Sequence, residues 1–229
     1  MKNKITLNPR LEKIAELVPI CDTIADIGTD HAYIPVAIVL SGKAQKAIAS
    51  DIKKGPVARA KDTVSRYGLS DKIDVRLGAG LETVAPGEAN AIIIAGMGGI
   101  LISDILAASQ ETVRHAKLLI LQPMTAVLEL REYLSANGYT VCEEHLVREE
   151  DKIYNIMVVK PVGSSDYTLK ELYLGKGLEK TSPELYEDYY HRIITKLKKR
   201  ADGLKRSALD ENKAELGKIL NIISEITID

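Results

Sequence analysis

The chain has no Trp and no Phe, so any surface that stacks on a flat ring must be built from Tyr, His or Arg. It has only two cysteines, Cys21 and Cys142, in separate apolar segments without metal-ligand spacing. That pattern gives a disulfide or zinc framework little support; no metal is expected, and two buried thiols are. No apolar run approaches the roughly 18–20 residues needed to cross a bilayer, and residues 1–13 hold no apolar stretch that would act as a leader. The expected location is the cytoplasm, with no membrane partner. Charge of one sign is also missing: a net charge of −1 gives no overall attraction to polyanions, although it leaves room for a local basic face. Neither a Walker-type G-x-x-x-x-G-K-[ST] nor a G-x-S-x-G nucleophile elbow occurs, so NTPase and serine-hydrolase chemistry fall away.

What is present is an ordinary globular composition, 45% hydrophobic and 28% charged over 229 residues. That length predicts one sizeable core with a small appendage. Short β-rich apolar runs at 23–27, 46–51, 73–77, 91–95 and 118–121 alternate with helical spacing at 34–40, 56–67, 100–108 and 126–137. The alternation predicts an α/β fold with parallel strands and crossover helices. Residues 139–147 and 152–160 read as a terminal antiparallel hairpin, which brings the sheet to seven strands. Upstream, Asn8 and Pro9 open a covering helix over 9–18.

After the linker-like Pro161-Val162-Gly163-Ser164-Ser165 the pattern changes. Leu185, Tyr189, Ile193, Leu197, Ala201 and Leu204 recur every three or four residues, and after a polar break near 207–212 the repeat resumes through Leu216, Leu220, Ile223 and Ile226. Two stripes of this kind pair as a helical hairpin or coiled coil. The expected division is residues 1–163 and 164–229. Lys198, Lys199 and Arg200, with Lys196, Lys205, Arg206 and Arg192 nearby, make the second unit locally basic; the competing reading is a solvated helix face.

The most informative segment is Ala25-Asp26-Ile27-Gly28-Thr29-Asp30-His31-Ala32-Tyr33, a glycine turn with two carboxylates where a doubly wound sheet opens its crevice. The turn lacks the further glycines of a dinucleotide fingerprint, so pyrophosphate is disfavoured and an amino-acid-bearing nucleoside, S-adenosylmethionine, suits it better. Asp51, at the end of the second strand, is placed to grip ribose hydroxyls in either kind of nucleotide site. Ala79-Gly80 leaves room for a flat ring, and Ala95-Gly96-Met97-Gly98-Gly99 opens a helix with exposed backbone N–H groups. Met97 fits core filler as well as a wall of the reaction site. The Gln122 amide, followed by Pro123, can read a donor and an acceptor on a base edge or serve the turn structurally, and Tyr154 can stack or be an ordinary half-buried strand tyrosine.

These segments in this order resemble the bacterial tRNA (adenine-22) N1-methyltransferase family, a class I S-adenosylmethionine-dependent group. The likeness rests on Arg10-Leu11, the Ala25–Tyr33 segment with Pro35, Ala47-Ile48-Ala49 to Asp51 with Gly55-Pro56, Val75 to Leu81, Ile94 to Gly99, Leu121-Gln122-Pro123 and Lys152-Ile153-Tyr154. It implies a Rossmann-like seven-stranded domain joined to a small helical coiled-coil domain. It further implies a cofactor set of Asp26, Gly28, Thr29, Asp30, Asp51, Ala79, Gly80, Ala95, Gly96 and Met97. Arg10, Gly98, Gly99, Gln122, Pro123, Lys198, Lys199 and Arg200 would meet the tRNA. Asp30, His31, Tyr33 and Tyr154 would orient the base without an obligatory strong base, and the chain would act as a monomer. One departure is Lys176 in Tyr173-Leu174-Gly175-Lys176-Gly177, where the family places proline after glycine. A nicotinamide-dependent oxidoreductase and a non-catalytic RNA-binding module are the competing readings.

Overall fold

The computed structural model describes residues 5–205 and 210–227; Arg206 and the 207–209 part of the expected 207–212 break lie outside them, while 210–212 already belong to a helix. Helix α1 (Pro9–Leu17) begins where Asn8 Oδ1 accepts the Leu11 N–H at 2.9 Å, with Pro9 at a position whose missing N–H costs nothing. There follow β1 (Cys21–Ile27), α2 (Tyr33–Ser41), β2 (Ala44–Asp51), α3 (Lys54–Arg66), β3 (Ile73–Leu77), β4 (Ala91–Gly98) and α4 (Gly99–Ala108). Then come α5 (Gln110–His115), β5 (Leu118–Thr125), α6 (Val127–Ala136), β6 (Thr140–Glu149) and β7 (Lys152–Lys160). The sheet runs β3-β2-β1-β4-β5-β7-β6, parallel through the first five strands, with β7 antiparallel to both neighbours.

Successive strand residues serve opposite faces, as the two-residue period requires. Ile24, Ile93 and Ile120 enter the core shared with α1 and α2, while Ala25, Ile92, Ile94 and Leu121 enter the core shared with α4 and α6. Both faces are therefore covered, which explains why these strands read as continuous apolar runs.

The structure departs from the sequence reading at several points. Helix α5 carries too few apolar residues to announce itself and packs through Thr112 and Val113. Strand β4 does not stop at Ala95. It continues irregularly through Gly96 and Met97, pairing Met97 with Pro123 and Gly98 with Thr125, so only Gly99 opens α4. A Cβ on Gly99 would lie 2.1 Å from the Ala126 carbonyl oxygen, which fixes the start of α4 against the junction after β5. Cys142 is exposed and Cys21 half-buried, because β6 is an edge strand and Cys21 sits at a strand start.

The segment after β7 is not a free linker. Ser165 is buried, its Oγ accepting from Val141 N–H and its carbonyl accepting from Ser135 Oγ, both at 2.6 Å. Two short helices, α7 (Leu169–Leu174) and α8 (Leu178–Thr181), precede the long α9 (Pro183–Lys205) and α10 (Asp210–Ile226). Ile194 and Ile226 share one apolar cluster and Arg200 pairs with Glu215, so α9 and α10 run antiparallel. Leu146 of β6 packs with Leu178 and Tyr189, joining the helices to the sheet edge.

Beneath that junction lies a buried ion pair. Arg131 Nη2 meets Glu144 Oε2 at 2.6 Å, with side chains 1% and 0% exposed. Glu144 also accepts from Asn155 Nδ2 at 2.9 Å, Tyr167 Oη at 3.1 Å and the Lys176 N–H at 3.1 Å, while Arg131 Nη1 donates to the carbonyls of Leu172 and Tyr173. Burial and the Glu144 charge hold the Tyr167 phenol protonated far above its ordinary range. The departure at Lys176 thus has a structural use, since proline has no N–H to give.

Candidate active site at the carboxyl edge of the sheet

Between β1 and β4 the strand order reverses, and an open parallel sheet parts its loops at that point. A cleft of about 350 Å³ lies there, lined by Asp26, Gly28, Thr29, Asp30, His31 and Tyr33 from the first turn, Ala95 and Gly96 from β4, and Asn8, Arg10 and Leu11 from the start of α1. A larger hollow of about 550 Å³ is lined by α9 residues alone, including Lys198 and Lys199, with no convergence of groups from different elements.

The first turn is tied to β2 by two N–H donors, Gly28 and Thr29, on the Ser50 carbonyl at 2.8 and 2.9 Å. Gly28 has φ +80°, and a Cβ there would fall 2.1 Å from Met97 Cε. The positive φ is what calls for glycine here, and the Met97 methyl packs over the bare Cα. Asp26 is 5% exposed, and burial lifts its carboxyl to about 6 against a partial offset from Thr29. A carboxylate held dry at a cleft wall is poised to receive a cationic donor.

Along the rim, Asp51 Oδ1 accepts the Lys53 N–H at 2.7 Å, and its other oxygen has no hydrogen-bond partner among the described residues. Beside it Ile52 and Leu77 are 65% and 50% exposed, an unusual pair at a strand end, and Leu77 is the register partner of Asp51. Gly80 backs onto Ile105, where a Cβ would come to 3.3 Å. Neither Ile52 nor Leu77 was singled out by sequence; an apolar residue directly after a strand-end aspartate was the available signal.

On the other side, Gln122 is fully buried, and its Oε1 accepts from Arg10 Nη1 at 2.7 Å and from the Gly96 N–H at 3.1 Å. Its Nε2 donates to the Pro123 carbonyl at 2.8 Å. With both ends engaged inside the protein, the amide holds the Gly96 segment rather than presenting itself to a base edge. Pro123 is itself buried. Arg10 lies 5.4 Å over the Tyr154 ring and 3.6 Å from Glu149 Oε2, and Asn8 Nδ2 donates to Glu149 Oε1 at 3.3 Å. Arg10 therefore faces inward to three strands, β5, β6 and β7, where sequence had offered it to RNA phosphates.

His31 stacks on Tyr33 with ring centroids 4.9 Å apart and planes 10° from parallel. Asp30 pairs with Arg59 of α3, whose Nε approaches Oδ1 at 3.1 Å, and with His31 at 3.4 Å. Arg59 was not anticipated, because it lies on the exposed face of an ordinary amphipathic helix. Lys198, Lys199 and Arg200 do not line the cleft; they are exposed on α9, and Arg200 is paired with Glu215. Among the described residues no group of three or more His, Cys, Asp or Glu is arranged to hold a metal ion, and no helix is long and apolar enough to cross a membrane.

Residues 7–157 match the model of a methyltransferase domain family. The chain is 41% identical over 176 residues to the tRNA (adenine(22)-N(1))-methyltransferase of Bacillus subtilis (strain 168), covering 77% of this chain and 74% of that protein. Its structure superimposes on the crystal structure of the B. subtilis M1A22 tRNA methyltransferase with a TM-score of 0.88 at 32% identity, covering 97% of this chain and 99% of the other. An M. capricolum relative, solved with its natural cofactor product S-adenosyl-homocysteine, matches with a TM-score of 0.83 at 28% identity over 97% and 96% of the two chains.

Proposed function

Because the chain belongs to the tRNA (adenine-22) N1-methyltransferase family, we propose that it methylates N1 of an adenine in tRNA, at position 22, with S-adenosylmethionine as donor. The single observation that carries the reading is the β1 turn: a buried, raised carboxylate at Asp26 beside the positive-φ Gly28, at the point where the strand order reverses.

The residues present fit that donor. Asp26 and the Gly28-Thr29 turn suit the amino-acid end, with Asp30 held alongside by Arg59; the unpartnered oxygen of Asp51 suits the ribose diol. Ile52, Leu77, Ala79 and Gly80 offer an apolar slot for adenine. No turn glycine follows Gly28 to receive a pyrophosphate, which disfavours a nicotinamide cofactor. When bound, the donor supplies an electrophilic methyl group.

The protein's own part is placement. N1 of adenine carries an in-plane lone pair, so orientation and exclusion of water can supply most of the acceleration without a strong base. Ala95 and Gly96 line the cleft and Met97 reaches over Gly28, while Gly98 and Gly99 let the base approach the backbone. The His31–Tyr33 stack and the Tyr154 ring offer flat faces on which an extruded adenine can lie. Gln122 and Arg10 fix the Gly96 segment.

We assign residues 164–229 to holding the tRNA, with exposed Lys198 and Lys199 and the partly engaged Arg200 as phosphate contacts. We take the chain to act as a metal-free monomer in the cytoplasm, a setting consistent with its two free thiols. Incubating the protein with unmodified tRNA and the donor, then mapping 1-methyladenosine by mass spectrometry, tests the reading. One methyl group at position 22 is expected; its absence on a folded, competent tRNA overturns the assignment.

A further inference from the structure

Among the described residues nine large apolar side chains are exposed, and six of them, Tyr33, Ile52, Leu77, Ile100, Leu101 and Met124, sit on the carboxyl edge of the sheet. Scattered exposed apolar residues need no explanation, but concentration on one rim does. Ile52 and Leu77 belong to the donor half and Tyr33 lines the cleft. Ile100, Leu101 and Met124 remain, 58%, 50% and 40% exposed, with no role in the donor site.

These three are neighbours on a rigid mount. Ile100 and Leu101 occupy the first turn of α4, which Gly99 seats against the Ala126 carbonyl. Met124 lies on the adjoining end of β5, where Gly98 and Thr125 are register partners and Gln122 Nε2 approaches Met124 Sδ at 3.7 Å. The patch thus adjoins the buried amide that holds Gly96, a residue lining the cleft. An adenine inside a helical stem must leave its stack to reach that cleft, and the vacated faces of the neighbouring bases then need an apolar cover. The amide of Gln122 is already engaged within the protein, so this edge offers the RNA apolar surface and not a hydrogen-bond code.

We propose that Ile100, Leu101 and Met124 form a wedge that fills the stacking space left when the target adenine is extruded. The proposal rests on the tRNA reading above. Two substrates separate the possibilities: a tRNA in which the target adenine is paired, and the same tRNA with the opposing nucleotide changed so that the adenine is unpaired. The Ile100→Ala/Leu101→Ala variant should bind the donor as the wild type does in calorimetry. On the paired substrate kcat/KM should fall by about tenfold or more, and on the unpaired one it should stay within about threefold of wild type. With 2-aminopurine at the target position, the fluorescence rise on binding should shrink in the variant for the paired RNA only. Equal losses on both substrates, or no loss on the paired one, would overturn the wedge. A wild-type protein inactive on both would overturn the tRNA reading, and the wedge with it.

Discussion

Arg10 Nη1 donates to Gln122 Oε1 across 2.7 Å, joining the start of the first helix to the fifth strand through 112 positions of chain. The same oxygen takes the Gly96 N–H at 3.1 Å, so one buried amide fixes both the entrance helix and the irregular end of β4.

Replacing Gln122 with Leu leaves the Gly96 N–H and the Arg10 guanidinium without their acceptor. Each such loss costs about 1–3 kcal/mol, so the melting temperature should drop by several degrees and kcat/KM by more than tenfold. Gln122→Glu keeps the acceptor but sets a second oxygen against the Pro123 carbonyl, so its stability should fall between wild type and the Leu variant. A Leu variant as stable and active as wild type would show that the hub is not needed.

Asp26 makes a pH-dependent prediction. Its carboxyl is raised from 3.8 to about 6 by burial, so between these values the folded chain keeps a proton that the unfolded chain has released. Stability from this group is therefore greatest below about pH 4 and declines as pH rises to about 6. Asp26→Asn removes that penalty and should be more stable than wild type at pH 7.5, by roughly 3 kcal/mol at most, converging near pH 4 in urea titrations. The same variant should lose donor affinity, and wild-type affinity should weaken as pH falls below about 6. A variant no more stable than wild type at pH 7.5 would contradict a dry, charged Asp26.

The buried Arg131–Glu144 pair supports the seam between sheet and C-terminal helices. Glu144→Leu strands the guanidinium and should cost about 3–5 kcal/mol in chemical denaturation. The double variant Arg131→Met/Glu144→Leu should recover a large part of that loss, since removing both charges also removes their desolvation cost. A single variant with near-native stability would argue against the pair as the seam's support.

Lys198 and Lys199 are exposed on α9 and outside the cleft. If they meet tRNA phosphates, Lys198→Ala/Lys199→Ala should weaken tRNA binding and reduce the slope of log affinity against log salt by about 0.7–0.9 per lost contact. Donor binding should not change. An unaltered salt slope would place the RNA backbone elsewhere.

Helix α1 was legible because its signals are local: Asn8 caps, Pro9 follows, and Ile14 repeats the apolar stripe. The β1 turn was legible for the same reason, since a glycine between two carboxylates at a strand end marks a turn, and Gly28 takes φ +80° without strain. Helix α5 and the ordered Ser165 segment were not, because their stability comes from neighbours such as Val84 and Val141 and not from their own pattern. Gln122 was read as a group facing a base edge, whereas its amide is engaged by Arg10, Gly96 and Pro123, and the first two of these partners could not be read from its surroundings in the chain.

The sequence by itself determined the alternation of strands and helices, the glycine turn with its carboxylates, and the amphipathic C-terminal pair, because periodicity, φ preference and capping act within a few residues. Only the tertiary structure decided that Arg10, Gln122 and Tyr154 would share one wall, that Asn8 would meet Glu149 from 141 positions away, and that Arg59 would take Asp30. Those meetings follow from the strand order β3-β2-β1-β4-β5-β7-β6, which sheet packing sets and local propensity does not encode.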